Sequence, residues 1–115
     1  MPHDADHLRS GNTKARAIVE AYCDAWNRGD LDAIFDLFAA DARYEGTNST
    51  LIGRDAIRQM YERTFASGEG KELIARPVAT DARELSVAMY KREERIAVKQ
   101  FGIRDGLIVL QSMRE

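Results

Sequence analysis

Apart from one short strand, the spacing of apolar residues is helical in the first part of this chain and strand-like in the rest, and that order limits the folds open to it. From Ala15 to Phe65 apolar residues recur at helical intervals; from Glu72 to Met113 they follow the shorter intervals of strands. Helices first and antiparallel strands last predict an α+β domain rather than a repeat of strand, helix and parallel strand. A curved sheet with helices on one face encloses space between the two layers, so a pocket is expected there.

The helices can be placed from their ends. Asn12 or Thr13 can cap the first, and Ala15, Ile18, Val19, Tyr22, Ala25 and Trp26 make its apolar face. Gly29 is a natural stop, and Asp30 then caps a second helix with Asp32 in its first turn. Leu31, Ile34, Phe35, Leu37 and Phe38 form the apolar side of that helix. A third begins after Gly53, with Ile57, Met60, Tyr61, Thr64 and Phe65 on one face, and ends at Ser67–Gly70. Asp41–Glu45 reads as a short strand, followed by a polar loop from Gly46 to Thr50.

Four longer strands follow: Glu72–Thr80, Glu84–Lys91, Arg95–Ile103 and Leu107–Met113. Asp105-Gly106 predicts a tight hairpin, because both central residues of that turn have positive φ. The charged run Lys91–Arg95 predicts another turn. Pro77 places the first long strand at an edge or a bulge.

Composition narrows the function classes. The chain has 115 residues, 44% of them hydrophobic, which suits one domain with one core. Residues 1–11 read as a polar, flexible tail and 12–115 as the domain. Seventeen basic residues against 19 acidic give a net charge of −2, with no basic patch to favour nucleic acid. Cys23 is the only cysteine, so no internal disulfide forms, which suits a reducing compartment. No apolar run approaches the roughly 18 residues of a membrane span, and no signal peptide is evident; the expected location is cytoplasmic. His3 and His7 stand four apart, but structural zinc takes about four ligands, so no metal site is expected from them.

Several segments carry a resemblance. They are Val19-Glu-Ala-Tyr-Cys-Asp-Ala-Trp-Asn-Arg-Gly-Asp-Leu-Asp-Ala-Ile34, its continuation from Phe35 to Glu45, Gly53-Arg-Asp-Ala-Ile-Arg-Gln-Met-Tyr61, Gln100-Phe101 and Asp105-Gly106-Leu-Ile-Val109. Across residues 13–114 the chain resembles SnoaL-like polyketide cyclases and ketosteroid isomerases of the nuclear transport factor 2-like superfamily. The resemblance implies a cone-shaped, curved antiparallel sheet packed against three N-terminal helices, the cystatin-like α+β cone. It also implies a small-molecule pocket and a homodimer through the open face of the sheet; no cofactor is expected, and with two histidines and one cysteine no metal either. The unbroken apolar run Leu107–Leu110 gives that sheet an outer face in need of cover.

The chemistry is less determined, since one fold hosts many functions. Ketosteroid isomerases combine an aspartate base with an oxyanion hole made of a tyrosine and a protonated aspartic acid. By resemblance Tyr22 falls on the oxyanion-hole tyrosine and Tyr61 on a tyrosine that supports it. The base position holds Gly46, beside Glu45, which strand alternation directs to the opposite face. The acid position holds Lys99. The usual isomerase mechanism is therefore not expected. The resemblance puts Phe101 on the inner wall, and Lys99 shares its strand face with Ala97 and Phe101, so Lys99 should point inward with it, where an unanswered ammonium is costly.

The expected function is binding of a small, largely apolar, cyclic molecule in the cone, with acid–base isomerase, cyclase or dehydratase chemistry open to it. Tyr22, Lys99 and Glu45 are the candidate catalytic residues, and Trp26, Phe38, Tyr61, Met89 and Phe101 the candidate pocket wall. The alternative is a ligand-binding or scaffold domain with no catalysis, which the missing aspartates favour. An epoxide hydrolase would need an Asp-Arg-Asp set, and none is placed on the inner strand faces.

Overall fold

The computed structural model describes residues 2–46, 48–78 and 85–114, with side chains from Ala15 to Met113. Helix α1 (Pro2–Arg28) starts upstream of the Asn12 or Thr13 cap that the sequence suggests. The His3 and His7 side chains lie outside the described residues. Val19, Tyr22, Cys23, Ala25 and Trp26 are buried, as one helical face should be.

The end of α1 follows its sequence closely. Gly29 takes φ +70°, a conformation that costs glycine little. Its amide donates to Trp26 O at 2.9 Å, and the Asp30 amide to Ala25 O at 2.9 Å. This pair of bonds closes the helix by satisfying two otherwise orphaned carbonyls. Asp30 then caps α2 (Leu31–Phe35), its carboxylate accepting from the Ala33 amide at 3.1 Å. Phe38 does not belong to α2. It opens β1 (Phe38–Glu45), because the Leu37 carbonyl has already joined the sheet through the Ile108 amide at 2.8 Å.

Beyond β1 the segment read as loop contains a strand, β2 (Thr50–Ile52), paired antiparallel with Arg43–Glu45. Helix α3 (Arg54–Ala66) buries Ile57 and Tyr61, and a short α4 (Glu69–Glu72) follows. The remaining strands are β3 (Leu73–Val78), β4 (Leu85–Lys91), β5 (Glu94–Arg104) and β6 (Leu107–Arg114). Their order is β2-β1-β6-β5-β4-β3. Only the β1–β6 pair is parallel. The sheet is curved and unclosed, and the helices pack against it, as expected of an α+β cone.

Two turns work as the sequence suggests. Asp105 and Gly106 take φ +54° and +78° between β5 and β6, and Arg92 and Glu93 take +52° and +72° between β4 and β5. Both match the right-handed twist of the strands they join. Pro77 lies in the edge strand β3, as its missing amide requires.

The end of α1 covers this edge. Asn27 Nδ2 donates to Ala75 O at 2.9 Å, and Asn27 Oδ1 accepts from the Ala75 amide at 2.8 Å. Trp26 Nε1 donates to Leu73 O at 3.1 Å. Side chains thus satisfy backbone groups that would otherwise offer a template for another strand. Among the described residues no helix is long and apolar enough to cross a membrane.

Candidate functional site

On β5 the alternation of side chains turns Lys99 into the space between sheet and helices. It is 4% exposed, with Phe101 buried on the same face. Its Nζ donates to the Tyr22 hydroxyl at 2.9 Å. The same nitrogen stands 4.1 Å from the Trp26 ring centre and 5.2 Å from that of Tyr61. The negative faces of the rings attract the cation. No acid reaches Lys99 among the salt bridges of the described residues.

The Tyr22 hydroxyl lies 2.6 Å from that of Tyr61, which donates to Gln111 Oε1 at 2.6 Å. These partners fix the direction of the chain. An amide oxygen can only accept, so the Tyr61 proton points to Gln111. The Tyr22 proton then points to Tyr61, and Tyr22 accepts from Lys99. The four groups form one directed line, Lys99 to Tyr22 to Tyr61 to Gln111, across four elements. Gln111 is fully buried, and its Nε2 has no partner among the described residues.

A cavity of about 220 Å³ lies against this line. Trp26, Tyr44, Met60, Tyr61, Met89, Ile96, Lys99, Gln111 and Met113 are among its walls, with Thr64, Glu69, Leu73 and Ala97. It exceeds the roughly 150 Å³ of an apolar cavity that takes benzene. Trp26 and Leu73 also line a wider cleft of about 580 Å³ beside Phe65 and Gly70, so the indole stands between the two spaces.

Burial governs the ionisation of these groups. Removal from water favours the neutral amine and brings Lys99 down from 10.5 to about 7. Glu69 opposes this from across the cavity. Cys23 would also oppose it as a thiolate, but burial pushes that thiol up to about 12 and it stays neutral. Burial likewise raises Tyr22 and Tyr61, so both remain phenols.

Seven of the eight residues singled out from sequence fall into three groups. Trp26, Tyr61, Met89 and Lys99 line the cavity. Tyr22 lies behind that wall, fully buried, and reaches the cavity only through Lys99 and Tyr61. Phe38 and Phe101 are core supports rather than walls. Phe101 stacks 4.9 Å from Tyr22, and Phe38 lies 6.1 Å from Tyr61, measured between ring centres.

Glu45 does not join them. Its carboxylate meets Arg43 Nε at 3.0 Å on the partly exposed face, because alternation along β1 gives Tyr44 the inner position. A side chain at position 46 has no room either: a Cβ there would lie 2.9 Å from Tyr44 Cε1. The sequence reading missed Gln111, Tyr44 and Glu69. For Gln111 a signal existed, an amide ending the apolar run Leu107–Leu110, of the same kind that marked Lys99.

The SnoaL-like domain family matches residues 19–110. The chain belongs to the SnoaL-like family. No functionally curated protein sequence matches it. Among solved structures, this SnoaL-like chain is 26% identical to a proposed polyketide cyclase from Sinorhizobium meliloti, covering 85% of this chain and 94% of that one, with a TM-score of 0.67. A SnoaL-like protein from Burkholderia thailandensis shares the fold at 18% identity and a TM-score of 0.73, covering 89% and 93% of the two chains. A proposed ketosteroid isomerase from Kribbella flavida does so at 24% identity and 0.66, covering 89% and 77%.

Proposed function

We propose that this SnoaL-like domain binds a small, largely apolar, cyclic molecule bearing a carbonyl or anionic oxygen. The observation that carries this reading is Lys99, a buried nitrogen with no acidic partner among the described residues, in the wall of an otherwise mostly apolar cavity. A ligand oxygen would supply a second acceptor for Nζ beside the Tyr22 hydroxyl, and Gln111 Nε2 offers a second donor. Trp26, Tyr61 and Met89 would hold the ring. The likeness to a proposed polyketide cyclase supports a cyclic ligand.

Calorimetric titration tests the reading with three compounds of one size. Benzoate is expected to bind, benzyl alcohol to bind more weakly, and benzylamine not to bind, since its cation would face Lys99. Equal binding of benzoate and benzylamine, or no binding of any, would contradict it.

If the ligand also reacts, Lys99 supplies the charge and Tyr22 holds it in place. Isomerase, cyclase or dehydratase chemistry of this kind would depart from the ketosteroid isomerase pattern. A purely binding role is favoured by one observation, the outward Glu45 paired with Arg43. For the assembly, we propose a homodimer through the outer face of the sheet, where Ile74 and Val78 are exposed and Val98 is half-buried.

A further inference from the structure

Lys99 differs in setting from Lys71 and Lys91. Both of those are exposed, and Lys91 pairs with Glu72 at 3.3 Å. Lys99 is buried, and the group that holds it in place is an acceptor. Gln111 Oε1 orients the Tyr61 proton, Tyr61 orients the Tyr22 proton, and Tyr22 is left to accept an N–H from Nζ. A neutral Lys99 amine in that bond keeps its lone pair free. Were the line reversed, the Tyr22 proton would occupy it.

We infer that Lys99 is a nucleophile that forms a reversible Schiff base with a small apolar aldehyde or ketone in this cavity, with Gln111 as the residue that orients the amine through the two tyrosines. The inference rests on the binding reading above and adds a covalent step to it. The Nζ lone pair attacks the carbonyl carbon, and the C=O π pair moves to oxygen. A proton passes from nitrogen to that oxygen, giving a carbinolamine. With one further proton from solvent the hydroxyl leaves as water, and the nitrogen lone pair closes the C=N bond of a protonated imine. Carbonyl compound, amine and one proton become iminium and one water. A buried lysine depressed toward neutrality is an established kind of amine nucleophile.

The charges around Lys99 set its pH dependence. Tyr22 and Cys23 from α1, Tyr61 from α3 and Tyr44 from β1 are all neutral near pH 7, which among the described residues leaves the Glu69 carboxylate on α4 facing the same cavity. The free amine should therefore emerge as pH rises through neutrality.

The test is reductive trapping of the full chain with benzaldehyde and sodium cyanoborohydride, read by intact mass and peptide mapping. Lys99 is expected to be labelled at least about tenfold faster than the exposed Lys71 or Lys91 at neutral pH, since its burial favours the neutral, nucleophilic amine. Labelling should quicken between about pH 6 and 8 as the amine deprotonates, and excess benzoate should slow it. Gln111→Leu should slow labelling of Lys99 while Lys71 and Lys91 react as before, with folding checked by circular dichroism. Adducts on Lys71, Lys91 and the N-terminus with Lys99 unmodified, in a protein that binds benzoate, would overturn the covalent step and leave the binding reading standing. No adduct at Lys99 and no binding of benzoate would overturn both.

Discussion

The Lys99 side-chain nitrogen lies 2.9 Å from the Tyr22 hydroxyl, in the wall of a buried cavity and without a carboxylate partner among the described residues. A hydroxyl and ring faces give such a cation far less than water does. The arrangement therefore costs stability wherever Lys99 is charged.

The cost has a pH signature. Burial lowers Lys99 from 10.5 to about 7, so between those values the unfolded chain holds a proton that the folded chain has released. Stability from this group then rises with pH across that window, by up to about 1.4 kcal/mol per pH unit, and the penalty is complete below about pH 7. Lys99→Met should be more stable than the wild type by a few kcal/mol at pH 6, and the difference should shrink towards pH 10. Urea unfolding of both proteins at several pH values checks this. A variant less stable than the wild type at pH 6 would make Lys99 a structural charge.

The tyrosine pair should contribute in the opposite direction. Tyr61→Phe removes the link between Tyr22 and Gln111 and leaves Gln111 Oε1 buried without its donor. A loss of about 1–3 kcal/mol is expected, read as a lower urea midpoint with an unchanged slope. A neutral result would mean that the directed line has no energetic content.

These two effects also show what the sequence could and could not reveal. Lys99 was legible because β5 is long, with Phe101 fixing its inner face. The end of α1 was legible because Gly29 and Asp30 have conformational and capping roles that few residues share. β2 was not, since three residues are too few to show a period. Phe38 read as helix because one apolar residue after Phe35 and Leu37 fits a helical face as well as a strand start. Gln111 stayed hidden because Leu107–Leu110 has no alternation to set a phase, and β6 meets β5 through a register shift at Gly102–Ile103. The outward phase of Glu45 followed from alternation, but only the folded structure reveals its partner Arg43.

The missing base makes a sharp negative prediction. Purified protein should not isomerise a β,γ-unsaturated ketosteroid, because position 46 has no side chain and Glu45 is turned to Arg43. Gly46→Asp should not restore turnover, since its Cβ would press on the Tyr44 ring at 2.9 Å. Absorbance of the conjugated enone product is the readout. Robust turnover that survives Glu45→Gln would show that another base serves the cavity.

Assembly is testable by mass alone. Light scattering at micromolar concentration should report twice the chain's 13.0 kDa. Val98→Glu, on the face of β5 opposite Lys99, should weaken the dimer. A strictly monomeric wild type would contradict the proposed pairing.

The most direct test of the central claim is the protonation of Lys99 itself, followed by NMR of its side-chain carbon next to nitrogen, with and without benzoate. In the free protein the midpoint should fall at about 7. Bound benzoate should raise it, because an anion beside Nζ favours the ammonium. A midpoint near the ordinary lysine value, unmoved by benzoate, would contradict the account of Lys99 as the ligand-answering group of this cavity.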